Sequence, residues 1–354
     1  MHDLILKNGL IVDGTGAPGF RGDVAVKDGV IVEVGEVSGP AARTLDADGA
    51  LITPGFVDIH THYDGQVSWD SVLAPSSING VTSIAMGNCG VGFAPARPEK
   101  HAWLINLLEG VEDIPGTALA EGLTWDWETF PDYLNALARR SYTLDIGAHV
   151  PHAALRAYVM GDAGGDHEAV PSDAELARME ALTFEAMEAG ALGFSTSRTY
   201  VHRSRDGQNI GTLTASEAEL LGIAGALKRA GRGVIQLISD AYLTPDDDFA
   251  QREMDLIRAL VRTTGRKLSF TVQQTDDAPD RWKHIFREVA AMNAEGLDVK
   301  TQVAPRPLGV ILSFASTTNP FFICPTYREV AREATTEQRL AALADPAVKA
   351  KILA

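Results

Sequence analysis

"GFVDIHTHYD", residues 55–64, ends an apolar run with two histidines spaced two apart. Along a strand, residues i and i+2 share a face, so His60 and His62 aim two imidazoles at one point. Imidazole nitrogen is a good donor to zinc and similar divalent ions. The pair by itself reads equally well as two solvated or hydrogen-bonded side chains. Its setting in the chain decides between these.

Working outward, apolar strand-like segments alternate after Pro54 with helical stretches of ten or more residues. The segments are 56–60, 81–87, 144–150, 191–196, 234–239, 268–273 and 299–304. Such alternation predicts βα units around a parallel sheet. Ser172 with Glu175, and Thr214 with Glu217, predict capping boxes for two of the helices, which close at Gly190 and Gly231. Ahead of Pro54, short β-branched runs are punctuated by Asn8-Gly9 and Asp28-Gly29, pairs that favour tight hairpin turns. The expected fold is therefore α/β: a (β/α)8 TIM-type barrel, incomplete at about seven strands, with a small N-terminal β unit, which the family resemblance given below implies is a β-sandwich part. Residues 1–53 form the small part and 54–354 the barrel. His60 and His62 then lie at the C-terminal end of the first barrel strand, where this fold gathers its catalytic groups.

The 47 acidic against 31 basic residues argue against nucleic acid as a partner. No apolar run reaches the ~18 residues of a membrane span. The start, Met1-His2-Asp3-Leu4, has no basic and apolar secretory pattern, and Cys89 and Cys324 make no disulfide framework. A cytoplasmic protein with no membrane partner is expected.

"ITPGFVDIHTHYDGQVSWD" resembles the first-strand signature of the amidohydrolase superfamily. "GVTSIAMGNCGVGFAPARPE" narrows the resemblance to its N-acyl-D-amino-acid deacylase (D-aminoacylase) branch. "GVEDIPGTALAEGLTWDWETFPDYL", "VPHAALRAYVMG" and "GALGFSTSRTYVHRSRDG" are similar to further blocks of that branch. The resemblance covers most of residues 1–345. It implies a metal-dependent hydrolase of linear C–N amide bonds acting on small N-acylated amino acids. A zinc ion would polarise the amide carbonyl and activate a water. By motif it places His60, His62 and Cys89 at the metal. Cys89, in "GNCGVG" after the second strand, offers a soft thiolate ligand.

His152 matches a strand-three histidine near the active site, and His149 reads as a strand residue. The loop "STSRTYVHRSRDG" offers Ser195, Arg198, His202, Arg203 and Asp206; of these, Arg198 and His202, with His152, are the candidate substrate contacts. Trp125 and Trp127 either wall a substrate pocket or pack a loop onto the barrel. Cys324 is read as structural.

Two departures stand out. Strands five and six carry Gln236 and Gln273 or Gln274 where the branch has histidine ligands, and amide oxygen binds zinc poorly beside imidazole. The eighth strand, which in the branch carries the general-base carboxylate, is expected beyond Ala354. "TYREVAREATTEQRLAALADPAVKAKILA" instead reads as helix to its last residue. A fragment of a longer product and an inactive remnant or binding protein are both consistent with this. An open sheet edge would favour association through that edge. A cyclic-amide hydrolase of the hydantoinase or dihydroorotase kind would need a lysine on strand four, and "ALGFSTSR" has none.

Overall fold

The structure, a computed structural model, describes residues 1–305, 312–314, 319–321, 324–332 and 334–354. They fall into two compact units, 1–57 with 75–83 and 58–74 with 84–354. The first contains five short strands: β1 (His2–Ile11), β2 (Phe20–Lys27), β3 (Val30–Gly35), β4 (Ala41–Asp46) and β5 (Leu51–Ile52). Their order is β3-β2-β1-β4, with β5 also pairing β1.

Asp28 (φ 53°) and Gly29 (φ 75°) make the β2–β3 hairpin, because both left-handed residues match the strand twist. Asn8-Gly9 makes no hairpin. It lies inside β1, where the register with β2 shifts between Leu6 and Gly9. Left-handed Asn8 (φ 59°) donates its backbone N–H to Asp23 and its side-chain amide to Asp46, which satisfies the bulge from both neighbours.

Seven strands build the other sheet: β6 (Phe56–Asp58), β7 (Val81–Met86), β8 (Asp145–Pro151), β9 (Gly193–Arg198), β10 (Val234–Ser239), β11 (Lys267–Thr271) and β12 (Val299–Gln302). They stand side by side in chain order as a curled parallel sheet. All seven expected segments are strands. The helices are α1 (His101–Glu112), α2 (Gly116–Gly122), α3 (Phe130–Ala138), α4 (His152–Met160), α5 (Asp173–Ala189), α6 (Glu217–Ala230), α7 (Asp247–Thr264) and α8 (Arg281–Ala294).

Ser172 and Glu175 form the expected capping box of α5. The cap of α6 is displaced. Ser216 accepts from the Glu219 N–H, while Thr214 donates to the His167 carbonyl. The last turn ends at Gly231 as expected. The C-terminal stretch is not one helix but three: α9 (Pro325–Ala331), α10 (Thr336–Leu343) and α11 (Pro346–Leu353). Thr335 opens α10 with a capping box to Gln338, and Pro346 starts α11 because it lacks the N–H that continuation requires. Glu333 lies outside the described residues. No helix among the described residues is long and apolar enough to cross a membrane.

Strand alternation gives the parallel sheet two distinct faces. Phe194, Ile235, Leu237, Leu268 and Phe270 are buried on one. On the other, Ser195, Gln236 and Ser269 are register partners across β9, β10 and β11, so three polar side chains line up at one height.

Candidate metal centre

Two short segments carry the histidines and the cysteine. Thr61, between His60 and His62, is tied to β7 by its backbone N–H and its hydroxyl, both donating to the Ala85 carbonyl (3.0 and 2.8 Å). Anchoring the middle residue sends its two neighbours the same way. The His60 and His62 rings stand 5.4 Å apart.

Cys89 sits in the turn after β7 with left-handed geometry (φ 55°), between Gly87 (φ 74°) and Gly90 (φ 68°). Gly87 has no room for a side chain, since a Cβ there would meet the His149 carbonyl oxygen at 2.3 Å. Two members of the polar row hold this turn. Gln236 Oε1 accepts from the Cys89 N–H at 2.8 Å, and Ser195 Oγ accepts from the Gly90 N–H at 3.0 Å while donating to the Gly87 carbonyl. Cys89 Sγ thereby lies 3.2 Å from His60 Nε2.

The expected trio converges. One donor atom from each of His60, His62 and Cys89 lies within 4.8 Å of the others. A second trio does the same: Cys89, Glu112 and His202. Glu112 ends α1, and its carboxylate lies 3.2 Å from His62 Nε2. His202, in the loop after β9, has Nδ1 2.8 Å from Ser197 Oγ. Glu112 had no sequence signal of its own, since a glutamate at a helix end is ordinarily a solvated charge.

The electrostatics describe a site that resists charge on its own. Burial pushes the Cys89 thiol well up, with Glu112 and Asp64 adding to it. Burial likewise raises the Glu112 carboxyl well above the usual range, aided by Asp64 and Asp113. Asp64, 2% exposed, is raised to about 7 by burial. Burial lowers His60, and lowers His62 well below its usual value with help from His60 and His202. His149 and His202 fall to about 4, again through burial first and His60 second. A divalent cation placed among these groups inverts that logic, favouring thiolate, carboxylate and neutral imidazole together. The donor set of sulfur, imidazole nitrogen and carboxylate oxygen suits zinc. His62 Nδ1, His149 Nδ1 and Gln236 Nε2 are buried polar atoms without a hydrogen-bond partner, the mark of a site built around a further group. The residues fit a divalent ion.

Two candidate substrate contacts are placed elsewhere. Thr196 and Arg198 alternate with Ser195 and Ser197 along β9 and face away from the Cys89 turn. His152, fully buried, spends both ring nitrogens on Thr196 Oγ1 (2.8 Å) and Glu219 Oε1 (3.0 Å). Arg198 is forked onto Glu253 (2.7 and 2.9 Å). Their polarity serves the packing of helices on the sheet. Arg203 is bonded to the Tyr200 and Gly207 carbonyls, and Asp206 to Asn106. Trp127 is buried, donating to the Phe93 carbonyl at 2.7 Å, and Trp125 stacks on His101, so both pack their loop. Gln274 donates to the Pro279 carbonyl, and part-buried Cys324 stands at the residue before α9 without a side-chain capping bond.

Comparison with known proteins gives a consistent result. Residues 43–354 match the model of the amidohydrolase family. Over 313 residues the chain is 32% identical to N-acyl-D-glutamate deacylase of Alcaligenes xylosoxydans xylosoxydans, covering 86% of this chain and 57% of that protein. It superposes with a TM-score of 0.69 and 28% identity on the N-acyl-D-glutamate deacylase of Bordetella bronchiseptica, solved with zinc and a phosphonate mimic of the tetrahedral intermediate. A D-aminoacylase studied for its binuclear metal centre gives the same TM-score at 27% identity. Each structural match covers 86% of this chain and 59% of the other. The chain thus spans little more than half the length of these relatives.

Proposed function

The chain belongs to the amidohydrolase family, and on that premise we propose that it is the metal-binding part of a hydrolase cleaving the linear amide bond of N-acyl-D-amino acids. The observation that carries this reading is the convergence of His60, His62 and Cys89. His60, His62 and Cys89 would hold a divalent ion, zinc by the chemistry of its donors, which when bound would supply Lewis-acid polarisation of an amide carbonyl. The protein's own part is orientation. Gln302 sets the His60 imidazole, Gln236 holds the backbone N–H of Cys89, and the turn around Cys89 is closed by Ser195. The relatives are deacylases of N-acylated D-amino acids, which supports the substrate class. β9 carries no lysine, which disfavours a cyclic-amide hydrolase of the lysine-bridged kind. The division into residues 1–53 and a hydrolase part from 54 belongs to the same reading, as does a cytoplasmic location.

The test is release of free amino acid from N-acetyl-D-glutamate and its L-enantiomer, with zinc and after chelation. Metal-dependent turnover of the D-form supports the reading. An absence of turnover in a metal-loaded, folded protein would leave a metal-binding protein without this activity.

A further inference from the structure

We propose that Asp240 selects the substrate's side chain, and that the preferred substrates are N-acyl-D-amino acids with a cationic side chain of the lysine or arginine kind. The inference rests on the amide-hydrolase reading above and adds to it the chemistry of the group beside the cleaved bond.

Sheet register places Asp240. Between β9 and β10, Ser195 pairs Gln236 and Ser197 pairs Ile238. The first row holds the Cys89 turn, and Ser197 in the second holds His202. Ser239 is extended (φ −141°, ψ 149°) and spends its hydroxyl on Glu253 of α7. Asp240 therefore points back to the face of Gln236. It stands two residues, ~7 Å, beyond the Ser197 row. That is the C-terminal end of the strand, where this fold gathers the groups that meet substrate. Tyr242 ends the same single turn and ties it to the metal centre. Its buried hydroxyl is pushed up by burial and then by the Asp240 carboxyl and the Cys89 thiol, so it lies within electrostatic range of both.

The Asp240 carboxylate is held on one side and open on the other. The residue is 7% exposed. Its Oδ2 accepts from the Tyr200 N–H at 2.9 Å, and the Thr199 hydroxyl also faces the carboxyl. Its Oδ1 is buried without a hydrogen-bond partner. A buried acceptor left open is costly, and a charged one more so. The neighbouring Arg198 does not fill the gap, because its guanidinium is forked onto Glu253. Burial, with Glu253 adding to it, raises the Asp240 carboxyl. An incoming ammonium or guanidinium supplies the missing N–H donor and the countercharge together. A carboxylate side chain in the same place meets like charge and supplies neither.

The experiment measures binding first, so that it does not depend on turnover. The zinc-loaded chain is titrated calorimetrically with N-acetyl-D-lysine, N-acetyl-D-norleucine and N-acetyl-D-glutamate. Norleucine has the carbon chain of lysine without its charge. Lysine is expected to bind ~10–100-fold more tightly than norleucine, with glutamate weakest. In Asp240→Asn the advantage of lysine over norleucine is expected to vanish. Circular dichroism selects folded variants, and Asp240→Ser takes the place of Asp240→Asn if that one does not fold. Equal affinities for lysine and norleucine in the unaltered chain overturn the inference and leave Oδ1 to a buried water. An advantage that survives in the variant overturns it too, as does failure of all three compounds to bind. Zinc-dependent release of amino acid from the same compounds separates this inference from the function it rests on. Turnover with no preference for lysine overturns the inference and leaves the proposed function standing. Charge-selective binding that Asp240→Asn removes, without turnover of any compound, supports the Asp240 site and overturns the proposed hydrolysis.

Discussion

His60 Nδ1 and Gln302 Oε1 lie 2.7 Å apart, although 242 residues separate them in the chain. Gln302 Nε2 donates to Ser269 Oγ at 2.9 Å, so the amide orientation is determined and Oε1 is the acceptor. The His60 proton is thereby placed on Nδ1, and Nε2, facing Cys89, keeps the lone pair a metal requires. Gln302→Leu should weaken zinc binding ~10–100-fold with the fold retained. A competitive chelator titration measures this, and an unchanged affinity would mean that His60 is oriented without Gln302.

Gln236 spends its carbonyl oxygen on the Cys89 N–H inside a fully buried environment. Gln236→Met keeps the volume and leaves that N–H unpaired, at a cost of about 1–3 kcal/mol. Urea unfolding of the metal-free protein should show the loss. Equal midpoints would show that the turn needs no brace.

Glycine at 87 and glycine at 207 make a controlled pair. Both have positive φ, 74° and 79°, but only Gly87 has a carbonyl oxygen where a Cβ would go. Gly207→Ala should cost about 1 kcal/mol, the left-handed penalty alone. Gly87→Ala should cost several times that or abolish folding, and should free Cys89 to react with a thiol reagent. Similar stabilities for the two variants would contradict the close approach.

The Asp64 carboxyl is raised by burial from 3.8 to about 7. Below its folded pKa it holds a proton that the unfolded chain releases above 3.8. It therefore favours folding most at low pH, and this contribution disappears as pH rises through 7. Asp64→Asn removes that dependence. In the metal-free protein the variant should gain stability over the parent from pH 5 to pH 8, by at most a few kcal/mol. Parallel unfolding curves at the two pH values would show that the carboxyl is ordinary.

Arg156 and His152 share Glu219 at 2.6 and 3.0 Å, all within a region closed to solvent. Arg156→Met leaves the carboxylate partly unpaired and should destabilise by about 3–5 kcal/mol. If His152 instead serves substrate, the variant would change KM at unaltered stability.

Much of this molecule is determined by local sequence. Seven apolar runs became seven strands, and Ser172 and Glu175 cap a helix, because burial periodicity and capping are properties of neighbouring residues. His60 and His62 share a face because Thr61 between them anchors to β7, and Cys89 needs its glycines for a left-handed turn. The same locality misleads at Asn8-Gly9, a turn pair used as a bulge, and at Thr214, two residues short of the true cap. Tertiary structure decided what a side chain faces. Arg198 and His152 are polar residues in suggestive motifs; strand alternation turns Arg198 onto Glu253, and His152, the first residue of α4, is bonded to Thr196 and Glu219. Glu112 and Gln302 are unremarkable in the chain, and with Gln236 they come to the centre only when α1, β10 and β12 are assembled. Donor chemistry is written in residue types. The convergence of donors on one point depends on strand register and helix placement, which arise from contacts far apart in sequence.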